Sequence, residues 1–523
     1  MIKCCKSPLA QSIILASGVA QATFAIADTT IVSRCNDQDG IQYIGPSLRS
    51  AIAGASDFDT IDMTNIVCSS ITLERGEIPV YATGLKIAGP TSHTLTIDAH
   101  GASRVFNASS HAKYSPFALY NLTLTNGSSS ADAGGCISGW YVKLESTTLT
   151  GCHAKRYGGA VAARYALVQN SIITGNSAGE SGGGLAGYSI SVSRSNIAQN
   201  LAGIYGGGVY ASSGAAVTNQ TLIVGNYASR GGGVYADALT VEQSTIWLNK
   251  AVGSGGGAIG KVYAKLKGAT LLQNSAGYSG GGVWTSLLEA EDSTITGNVA
   301  IARGGGAYSN DLSLTNSVVD GNSLTGPSSL GGGIVVASSA YYAQVMISNS
   351  TISGNHAHGA GAIAFDLRST DVHIANSTIA FNTADNGAVG GVRARACAVI
   401  LQSSIIAKNS PGSDFYIVPD CGYQGLPEHP VTGSNNIVVA GNTLPSGTSA
   451  EDPQLSPLAY HGGTVRTHAL LGTSPAIDAG NNLLALATDA RGAGFDRVVG
   501  AGADIGAYER QIDDDELFYN GFD

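Results

Sequence analysis

Aromatic side chains recur at equivalent places in successive repeats of this chain, and they are the residues best suited to bind a ligand. Each repeat contains a Gly-Gly-Gly triplet, and positions are numbered from the residue that follows it. Flat aromatic rings with few charges nearby stack well on sugar rings, so an exposed row of them favours a glycan-binding strip. Position two holds Tyr210, Tyr235, Ile259, Trp284 and Tyr308 in five consecutive repeats, and position four adds Trp140, Tyr188 and Phe365.

The same rings have a second interpretation, in which they only stabilise the fold. Strands favour aromatic residues, and a stacked pair on neighbouring strands contributes about 0.2–1 kcal/mol. Packing is the simpler explanation for any single ring. For the row as a whole, ligand binding is a fair hypothesis.

Groups capable of acid–base catalysis are fewer. The outward positions offer Asp237, Lys261, Asp366, Arg393 and Arg395, with no tight cluster of carboxylates among them. The two arginines lie two apart on one strand, so they point the same way and form the best basic pair for a binding site. A polysaccharide lyase needs clustered carboxylates for calcium and a basic residue that takes a proton. The predicted function is therefore a non-catalytic binding or adhesin-like protein, and a carbohydrate-active lyase or hydrolase is the alternative.

No metal and no cofactor are expected. His356 and His358 flank a corner without a further ligand nearby, and most histidines of this kind are simply exposed. The chain has no His-Glu-x-x-His or phosphate-binding-loop motif. The calcium-binding Gly-Gly-x-Gly-x-Asp repeat is also missing, because aliphatic residues follow the triplets.

These residues are positioned by a repeat of about 24 residues. An asparagine closes each unit, and between Asn176 and Asn322 the steps are 24, 26, 23, 25, 24 and 24 residues. A period held this closely indicates a solenoid, in which each repeat buries its apolar side only against its neighbours. Glycine triplets and alternating strands exclude helical repeats. The prediction is an all-β, right-handed parallel β-helix of about a dozen coils, with an N-terminal cap and a small C-terminal module.

The aligned positions divide into an interior set and an outer set. Position one is aliphatic and position three is small, as in Val209 and Ala211, and side chains two apart share a face of a strand. A second apolar column lies three residues before each closing asparagine, as in Ile246. We expect these columns to fill the interior. The same alignment assigns Ala362 to position one and Phe365 to position four of their repeat.

The closing asparagines are expected to stack into a ladder. At the spacing of about 4.8 Å between neighbouring strands, amide groups pass hydrogen bonds from coil to coil. Asparagine also tolerates the left-handed backbone of a tight corner. The ladder is predicted to contain Asn176, Asn200, Asn226, Asn249, Asn274, Asn298, Asn322, Asn355, Asn382 and Asn409.

Cysteine usage indicates an oxidising compartment. Two of the eight cysteines fall in the predicted signal peptide, which leaves six. An even number in pairs that are close in sequence suggests three disulfides, although six cysteines allow 15 connectivities. The preferred pairs are Cys35 with Cys68, Cys136 with Cys152, and Cys397 with Cys421.

Residues 1–27 are predicted to be a secretory signal peptide that is cleaved after Ala27. Two lysines precede an apolar middle, and Ala-Ile-Ala at the end is a small-x-small cleavage site. Loss of both lysines takes the net charge from −10 to −12, and the chain has no basic patch, so nucleic acid is not an expected partner. No later run approaches the roughly 20 apolar residues of a transmembrane helix. We expect a secreted or cell-surface monomer whose partner is a polysaccharide or another surface ligand.

The first hundred residues resemble exported bacterial repeat proteins known for a Cys-Ser-Leu-Arg-Glu-Ala-Ile motif. The matching run is Pro-Ser-Leu-Arg-Ser-Ala-Ile at residues 46–52, where Pro46 and Ser50 replace the Cys and the Glu. Ser47 is suited to cap a short helix there. The repeats that follow are similar to those of polymorphic outer-membrane proteins. These resemblances imply an exported β-helix and name no activity.

Residues 445–510 closely resemble the bacterial choice-of-anchor Q domain. The match includes Ser-Pro-Ala-Ile-Asp-Ala-Gly at 474–480 and Asp-Ile-Gly-Ala-Tyr-Glu at 504–509. It implies a surface or secreted protein whose C-terminus varies in its type of anchoring. Within this segment, Asp489 and Arg491 are expected to pair in a network that holds loops together. The predicted organisation is a signal peptide at 1–27, a cap at 28–75, a parallel β-helix at 76–444, a C-terminal module at 445–510 and an acidic tail at 511–523.

Overall fold

The chain folds into a parallel β-helix built from three long sheets. The computed structural model describes residues 27–38, 44–108, 115–130, 132–338, 344–367, 371–385, 387–396, 398–419 and 431–512. Sheets A, B and C contain 23, 15 and 11 strands, and their strands pair in parallel from one coil to the next. The all-β, right-handed parallel β-helix that the repeats predict is therefore confirmed.

Each coil contributes to the sheets in the order A, B, C. The strands of sheet A are Thr29–Ile31, Thr60–Asp62, Ile78–Pro79, Lys86–Ala88, Phe106–Ala108, Phe117–Tyr120, Ile137–Glu145, Val161–Gln169, Leu185–Ser193, Val209–Thr218, Val234–Glu242, Ala258–Lys267, Val283–Glu291, Ala307–Ser309, Asp311–Thr315, Ile334–Ser338, Val345–Ser348, Ile363–Leu367, Asp371–Ala375, Val392–Ala396, Ala398–Gln402, Phe415–Pro419 and Val431–Ser434. The strands of sheet B are Ser70–Thr72, Thr96–Asp98, Thr123–Thr125, Thr148–Thr150, Ile172–Thr174, Asn196–Ala198, Leu222–Val224, Thr245–Trp247, Thr270–Leu272, Thr294–Thr296, Val318–Asp320, Thr351–Ser353, Thr378–Ala380, Ile405–Ala407 and Ile437–Val438. The strands of sheet C are Ser128–Ser129, His153–Ala154, Ser177–Ala178, Leu201–Ala202, Tyr227–Ala228, Lys250–Ala251, Ser275–Ala276, Val299–Ala300, Ser323–Leu324, His356–Ala357 and Thr383–Ala384.

The α-helix of the described chain, Leu48–Ala53, lies near the N-terminus. The Ser47 side chain caps it by accepting a hydrogen bond from the backbone N–H of Ser50 at 3.1 Å. Thr29–Ile31 already pairs with Thr60–Asp62 on either side of this helix, so parallel pairing extends into the segment predicted as a cap. No helix in the described part of the chain is long and apolar enough to cross a membrane.

Two of the three predicted disulfides are present. Cys35 is bonded to Cys68, and Cys136 to Cys152. The third predicted pair, Cys397 with Cys421, lies outside the described residues. So do the predicted signal peptide, apart from its last residue, and the tail from residue 513 onward.

The interior follows the predicted columns. Val209 and Ala211, at positions one and three, are both 0% exposed, and so is Ile246 in the column of sheet B. Full burial of one such aliphatic side chain contributes about 1.5–3 kcal/mol before chain entropy is subtracted. Because every coil repeats these columns, the hydrophobic stabilisation is spread evenly along the solenoid.

The glycine triplets bring neighbouring coils into direct backbone contact. Gly206, the first of its triplet, has φ +60°, a conformation that favours glycine. A Cβ on the next residue, Gly207, would lie 2.3 Å from the carbonyl oxygen of Gly232 in the following coil. Side chains are thus excluded from this corner for two separate reasons.

The predicted asparagine ladder is present inside the solenoid. Each Oδ1 accepts hydrogen bonds from the backbone N–H and the Nδ2 of the asparagine one coil earlier, as Asn274 does from Asn249 at 3.0 Å in both cases. The ladder begins at Cys152, whose N–H donates to Asn176. It ends at Asp414, which accepts from Asn409 at 2.9 Å.

The expectation that these asparagines adopt the left-handed conformation is wrong. Positive φ falls instead on the residue before each asparagine, for example 52° at Gln273 before Asn274. The preceding residue makes the turn with an outward side chain, which leaves the asparagine free to point inward and bond along the ladder. The residues that make this turn are Gly175, Gln199, Gly225, Leu248, Gln273, Gly297, Gly321, Gly354, Phe381 and Lys408.

A second ladder, of hydroxyl groups, marks the corner between sheets A and B. Each hydroxyl accepts from the backbone N–H one coil earlier and donates back to a carbonyl of its own coil, as Ser293 does with Ala269 and Glu291. The sequence interpretation did not identify it. Its members are Thr147, Ser171, Ser195, Thr221, Ser244, Ser293, Ser317, Ser350, Ser377 and Ser404, with Ala269 interrupting the row.

The C-terminal segment (residues 445–512) contains isolated β-bridges and no named strand or helix. It packs on the outer face of sheet B, where Val465 and Val318 belong to one buried apolar cluster and Ile505 and Ile405 to another. Gly506 lies close to the sheet, since a Cβ there would lie 2.7 Å from the Thr378 hydroxyl. The C-terminal segment therefore packs against one side of the solenoid.

Candidate functional site

Position two faces outward, but its aromatic rings are only half-exposed. Tyr210 lies beside Tyr235 in register, with ring centroids 5.8 Å apart. The ring of Tyr205, which precedes the glycine triplet, lies 6.1 Å from Tyr210 and 4.7 Å from Tyr235. These three rings therefore pack largely on one another at the corner that leads into sheet A.

Ile259 divides the position-two row into two stacks. It is 3% exposed and lies in register between Tyr235 and Trp284. Beyond it, Trp284 and Tyr308 are half-buried and stack at 6.0 Å with ring planes 1° apart. The row is consequently not a continuous flat strip, and much of its ring surface is used for packing.

The prediction that Phe365 projects outward is wrong. Ile363, not Ala362, pairs with Ile334 and Val392 at position one, so the column is shifted by one residue in this coil. Ala362 occupies the third triplet position instead of a glycine. Phe365 then falls at position three and is 0% exposed in the interior.

The predicted basic pair is divided between two environments. Arg393 lies at position two, beside Ala364 and Tyr416, and is half-buried. Arg395 lies two residues further on, and its Nη1 is 3.3 Å from Oδ1 of Asp366. Because that carboxylate already neutralises Arg395, the pair is less available to a ligand than the sequence suggested.

A second group of outward aromatic residues lies in the earlier coils, around Arg164. Its guanidinium carbon is 5.0 Å from the ring centroid of Trp140 in the preceding coil and 4.8 Å from that of Tyr188 in the following coil. The three residues form one stack along position four. Arg164 is exposed and Tyr188 is 44% exposed, so this stack faces solvent.

Beside the stack lies a surface depression of about 580 Å³. Tyr141 and Tyr165 form part of its wall, with ring centroids 6.2 Å apart, and Tyr165 also lies 6.1 Å from Tyr188. Ser189 and Ser191 contribute hydroxyl groups to the lining. The depression thus combines aromatic walls with small polar groups.

A second depression, of about 400 Å³, lies on the other side of Arg164. Ala162 and Ala186 at position two leave space that larger side chains fill in later coils. Tyr157 and Tyr210 also line this depression. The small position-two residues, which carried no weight in the sequence interpretation, therefore create the concave surface.

Among the residues that the structure describes, Arg164 is the single charged residue that lines the two depressions. Within the described part of the chain, no carboxylate oxygen lies within 4.0 Å of its guanidinium. Its Nε is 3.5 Å from the hydroxyl of Tyr165. The site therefore presents a cation between aromatic rings and no competing anion.

Strand geometry explains why the sequence interpretation missed Tyr141 and Tyr165. Strict alternation would turn position five inward, but the strands are irregular at positions four and five, and both face outward. The inward side chains resume at positions six and eight, where Val142 and Leu144 are 0% exposed. Within these strands, the buried apolar residues occupy odd positions first and even positions afterwards. This change of pattern was the signal available in the sequence.

The two histidines near sheet C do have a carboxylate neighbour. Oδ2 of Asp385, in the next coil, lies 3.6 Å from His356 Nε2 and 3.2 Å from His358 Nδ1. The sequence interpretation had found no further ligand there, because Asp385 is distant in sequence. Among the described residues, no group of three or more His, Cys, Asp or Glu side chains could hold a metal ion.

Buried charges concentrate in the C-terminal segment rather than in the depressions. Arg491 Nη2 lies 2.7 Å from Oδ2 of Asp489, with both side chains at most 1% exposed, so the expected pairing is present. Burial raises the pKa of Glu509 to about 8 and lowers the pKa of Arg497. These groups contact one another and backbone atoms, which indicates a structural network.

Comparison with known proteins yields two distant structural similarities. No family model and no curated protein matches the chain in sequence. The crystal structure of pectate lyase Pel9A aligns over 93% of this chain and 98% of its own, with 10% identity and a TM-score of 0.23. A PL6 alginate lyase in complex with a trisaccharide aligns over 84% of this chain and 91% of its own, with 12% identity and a TM-score of 0.31. Similarity at this level carries no information about what the chain binds or does.

Proposed function

We propose that this protein binds a polysaccharide on the outer face of sheet A, in the two depressions around Arg164. The observation that carries the proposal is the solvent-facing stack of Trp140, Arg164 and Tyr188 between two concave surfaces. The three residues lie on successive coils, so the stack runs along the solenoid. An extended sugar chain aligned with the solenoid would contact several of these rings at once.

The chemistry of the lining suits sugar rings. Aromatic faces pack against the C–H surfaces of a sugar, and each such contact contributes about 0.5–1.5 kcal/mol beyond the buried area. Serine and tyrosine hydroxyls donate and accept hydrogen bonds, as sugar hydroxyls require. Ser189, Ser191 and Ser212 line the depressions beside the rings.

The proposed setting is outside the cell. Both observed disulfides are compatible with an oxidising compartment. The resemblance of residues 445–510 to choice-of-anchor Q domains implies a secreted or cell-surface protein, and the adhesin-like role is part of the proposal. We propose the same setting for the polysaccharide ligand, on a host or neighbouring cell.

A polysaccharide-cleaving activity is the second candidate function. Carboxylate–cation pairs lie on the outer face of sheet A, among them Asp237 with Lys261 at 3.8 Å and Asp366 with Arg395 at 3.3 Å. Acid–base catalysis needs groups of this kind within reach of a bound sugar. Release of unsaturated or reducing ends from a bound polysaccharide would establish this function in place of simple binding.

The experiment that tests the binding proposal removes the stacking rings. Replacing Trp140 and Tyr188 by alanine together should weaken binding about tenfold or more, since two aromatic contacts are lost. Calorimetric titration against a panel of plant and microbial polysaccharides gives the affinities. Tyr278→Ala is the matched control, because Tyr278 is 58% exposed but follows a strand of sheet C.

The control variant should bind as the wild type does. Equal melting temperatures for the three proteins would show that the fold is intact. Unchanged affinity in the double variant, or no binding to any polysaccharide of the panel, would overturn the proposal.

A further inference from the structure

We infer that the ligand of this surface carries anionic groups on its sugar rings and that Arg164 binds them. The inference rests on the proposed function and specifies its ligand class. Arg164 lines both depressions, so a polysaccharide chain bound in either of them would lie next to Arg164. Its contacts determine which of its atoms are left for a ligand.

The Arg164 guanidinium lies between rings of the neighbouring coils, and its Nη groups are not used in hydrogen bonds among the described residues. Trp140 and Tyr188 lie on the coils before and after Arg164, at 5.0 and 4.8 Å. A guanidinium donates its hydrogen bonds in its own plane, so stacking on its faces does not use them. Nε approaches the Tyr165 hydroxyl at 3.5 Å.

Two other cations near this surface, Arg156 and Lys143, are paired with carboxylates. Arg156, eight residues earlier, lies 2.8 Å from Glu180 and 3.4 Å from Asp132. Lys143 lies 2.8 Å from Glu145. Arg164 differs from both, because no carboxylate among the described residues lies within 4.0 Å of it.

An anionic sugar matches this arrangement better than a neutral one. A planar carboxylate or a sulfate group accepts two parallel hydrogen bonds from an arginine edge, and such charge-assisted bonds are about twice as strong as neutral ones. Within the described part of the chain, no carboxylate or amide side chain lines the depressions to accept from the hydroxyls of a neutral sugar. Rings that hold the guanidinium in place also reduce the side-chain entropy lost on binding.

The test compares matched polymers that differ only in charge. Oligomers of polygalacturonate are measured against the same oligomers with their carboxyl groups reduced, and dextran sulfate is measured against dextran. The wild type should prefer the charged member of at least one pair about tenfold or more, the factor that corresponds to 1.4 kcal/mol. Which pair shows the preference identifies the anion as carboxylate or sulfate.

Three variants test whether Arg164 causes the preference for charged polymers. Arg164→Gln should bind charged and neutral members equally, while Arg164→Lys should retain part of the preference, since it keeps the charge and loses the paired donors. Arg303→Gln is the matched control and should bind as the wild type does, because Arg303 is exposed and lines neither depression. Added salt should reduce the preference of the wild type.

The outcomes separate this inference from the proposed function. Equal binding of charged and neutral polymers by the wild type overturns the inference and leaves polysaccharide binding intact. A preference that persists in Arg164→Gln overturns the assignment to Arg164. Absence of binding to all four polymers and to the wider panel overturns the proposed function, and the inference with it.

Discussion

The solenoid and the C-terminal segment bury polar groups in opposite ways. In the solenoid, the buried ladders consist of neutral amides and hydroxyls that bond to their equivalents in neighbouring coils. In the C-terminal segment, five ionisable side chains are at most 2% exposed, namely Asp489, Arg491, Arg497, Asp504 and Glu509.

Periodicity accounts for the difference. An amide both donates and accepts, so identical asparagines stacked at the strand spacing satisfy one another. Identical charges at that spacing would repel, and a repeat therefore cannot bury them in a column. A segment without a repeat can place opposite charges together, as Asp489 and Arg491 show. Its stability then depends on a few contacts rather than on many equivalent ones.

The largest expected effect comes from breaking the buried ion pair. Arg491 contacts Asp489, donates to the carbonyl of Glu509, and lies 4.0 Å from the Phe495 ring and 3.9 Å from the Tyr508 ring. Arg491→Ala should lower the free energy of unfolding of the C-terminal segment by about 3–5 kcal/mol, because an unpaired buried carboxylate is left.

Hydrogen exchange resolved by peptide measures where that loss occurs. Faster exchange should be confined to residues 445–512 and the coils of sheet B beneath them. Faster exchange throughout the solenoid would contradict the view that the two regions are stabilised independently. Arg156→Ala, at an exposed salt bridge, is the control and should not change exchange measurably.

Lowering the pH should destabilise the C-terminal segment through the protonation of His468. Its Nδ1–H donates to the carbonyl of Ser456, its Nε2 accepts from the hydroxyl of Ser353 in the solenoid, and burial lowers its pKa to about 4. The unfolded chain takes up this proton at higher pH, so the contribution is present above about pH 6.5 and is lost as pH falls toward 4. The loss amounts to about 3 kcal/mol.

The pH dependence of stability contributed by Glu509 has the opposite sign over part of this pH range. The pKa of Glu509 is raised to about 8 in the folded protein, so its contribution is complete below about pH 4.5 and is lost as pH rises toward 8. Melting curves of His468→Gln and Glu509→Gln against the wild type separate the two. An acid-side loss of equal size in His468→Gln would contradict the assignment to His468.

Interrupting the asparagine ladder should cost less than breaking the ion pair. Asn274→Ala removes the acceptor of the Asn249 backbone N–H and the donor to the Ile246 carbonyl. Two buried backbone groups without partners should lower the free energy of unfolding by about 2–3 kcal/mol. Denaturant unfolding measures it, and Ser275→Ala, one residue further and half-exposed, should change it by less than about 0.5 kcal/mol.

Completing the hydroxyl ladder should produce the smallest effect, and with the opposite sign. Ala269 interrupts that row, and the backbone N–H of Ser244 makes no hydrogen bond within the described residues. Ala269→Ser should raise the free energy of unfolding by about 0.5–1.5 kcal/mol, because it supplies the missing acceptor. Ala264→Ser, at a fully buried interior position, is the control and should destabilise the protein. Destabilisation by Ala269→Ser would show that a hydroxyl does not join the row there.

The candidate site was only partly predictable from the sequence. Trp140 and Tyr188 were identified by their spacing, because the glycine triplet numbers each strand from its first residue. Tyr141, Arg164 and Tyr165 were missed. Strict alternation predicts that position five points inward, whereas positions four and five both face outward. The conformational propensities of single residues do not predict this irregularity.

Missing information about the strand register also caused the wrong prediction that Phe365 projects outward. Counting from glycine assumed that the triplet always contains glycine at its end, but Ala362 occupies that place and the strand starts one residue later. A shift of one residue turns every side chain to the other face of a strand. Only the hydrogen-bonded register between neighbouring coils resolves such a shift.

The sequence by itself determined the period, the parallel β-helix, the interior columns, the asparagine ladder and the two described disulfides. Each of these follows from residues that are close in sequence or that recur at a regular interval. Only the tertiary structure shows which outward rings Tyr205 covers, that Arg164 has no carboxylate within 4.0 Å among the described residues, and that the C-terminal segment lies on sheet B. Those features depend on contacts between residues far apart in the chain, whose distances no local pattern encodes.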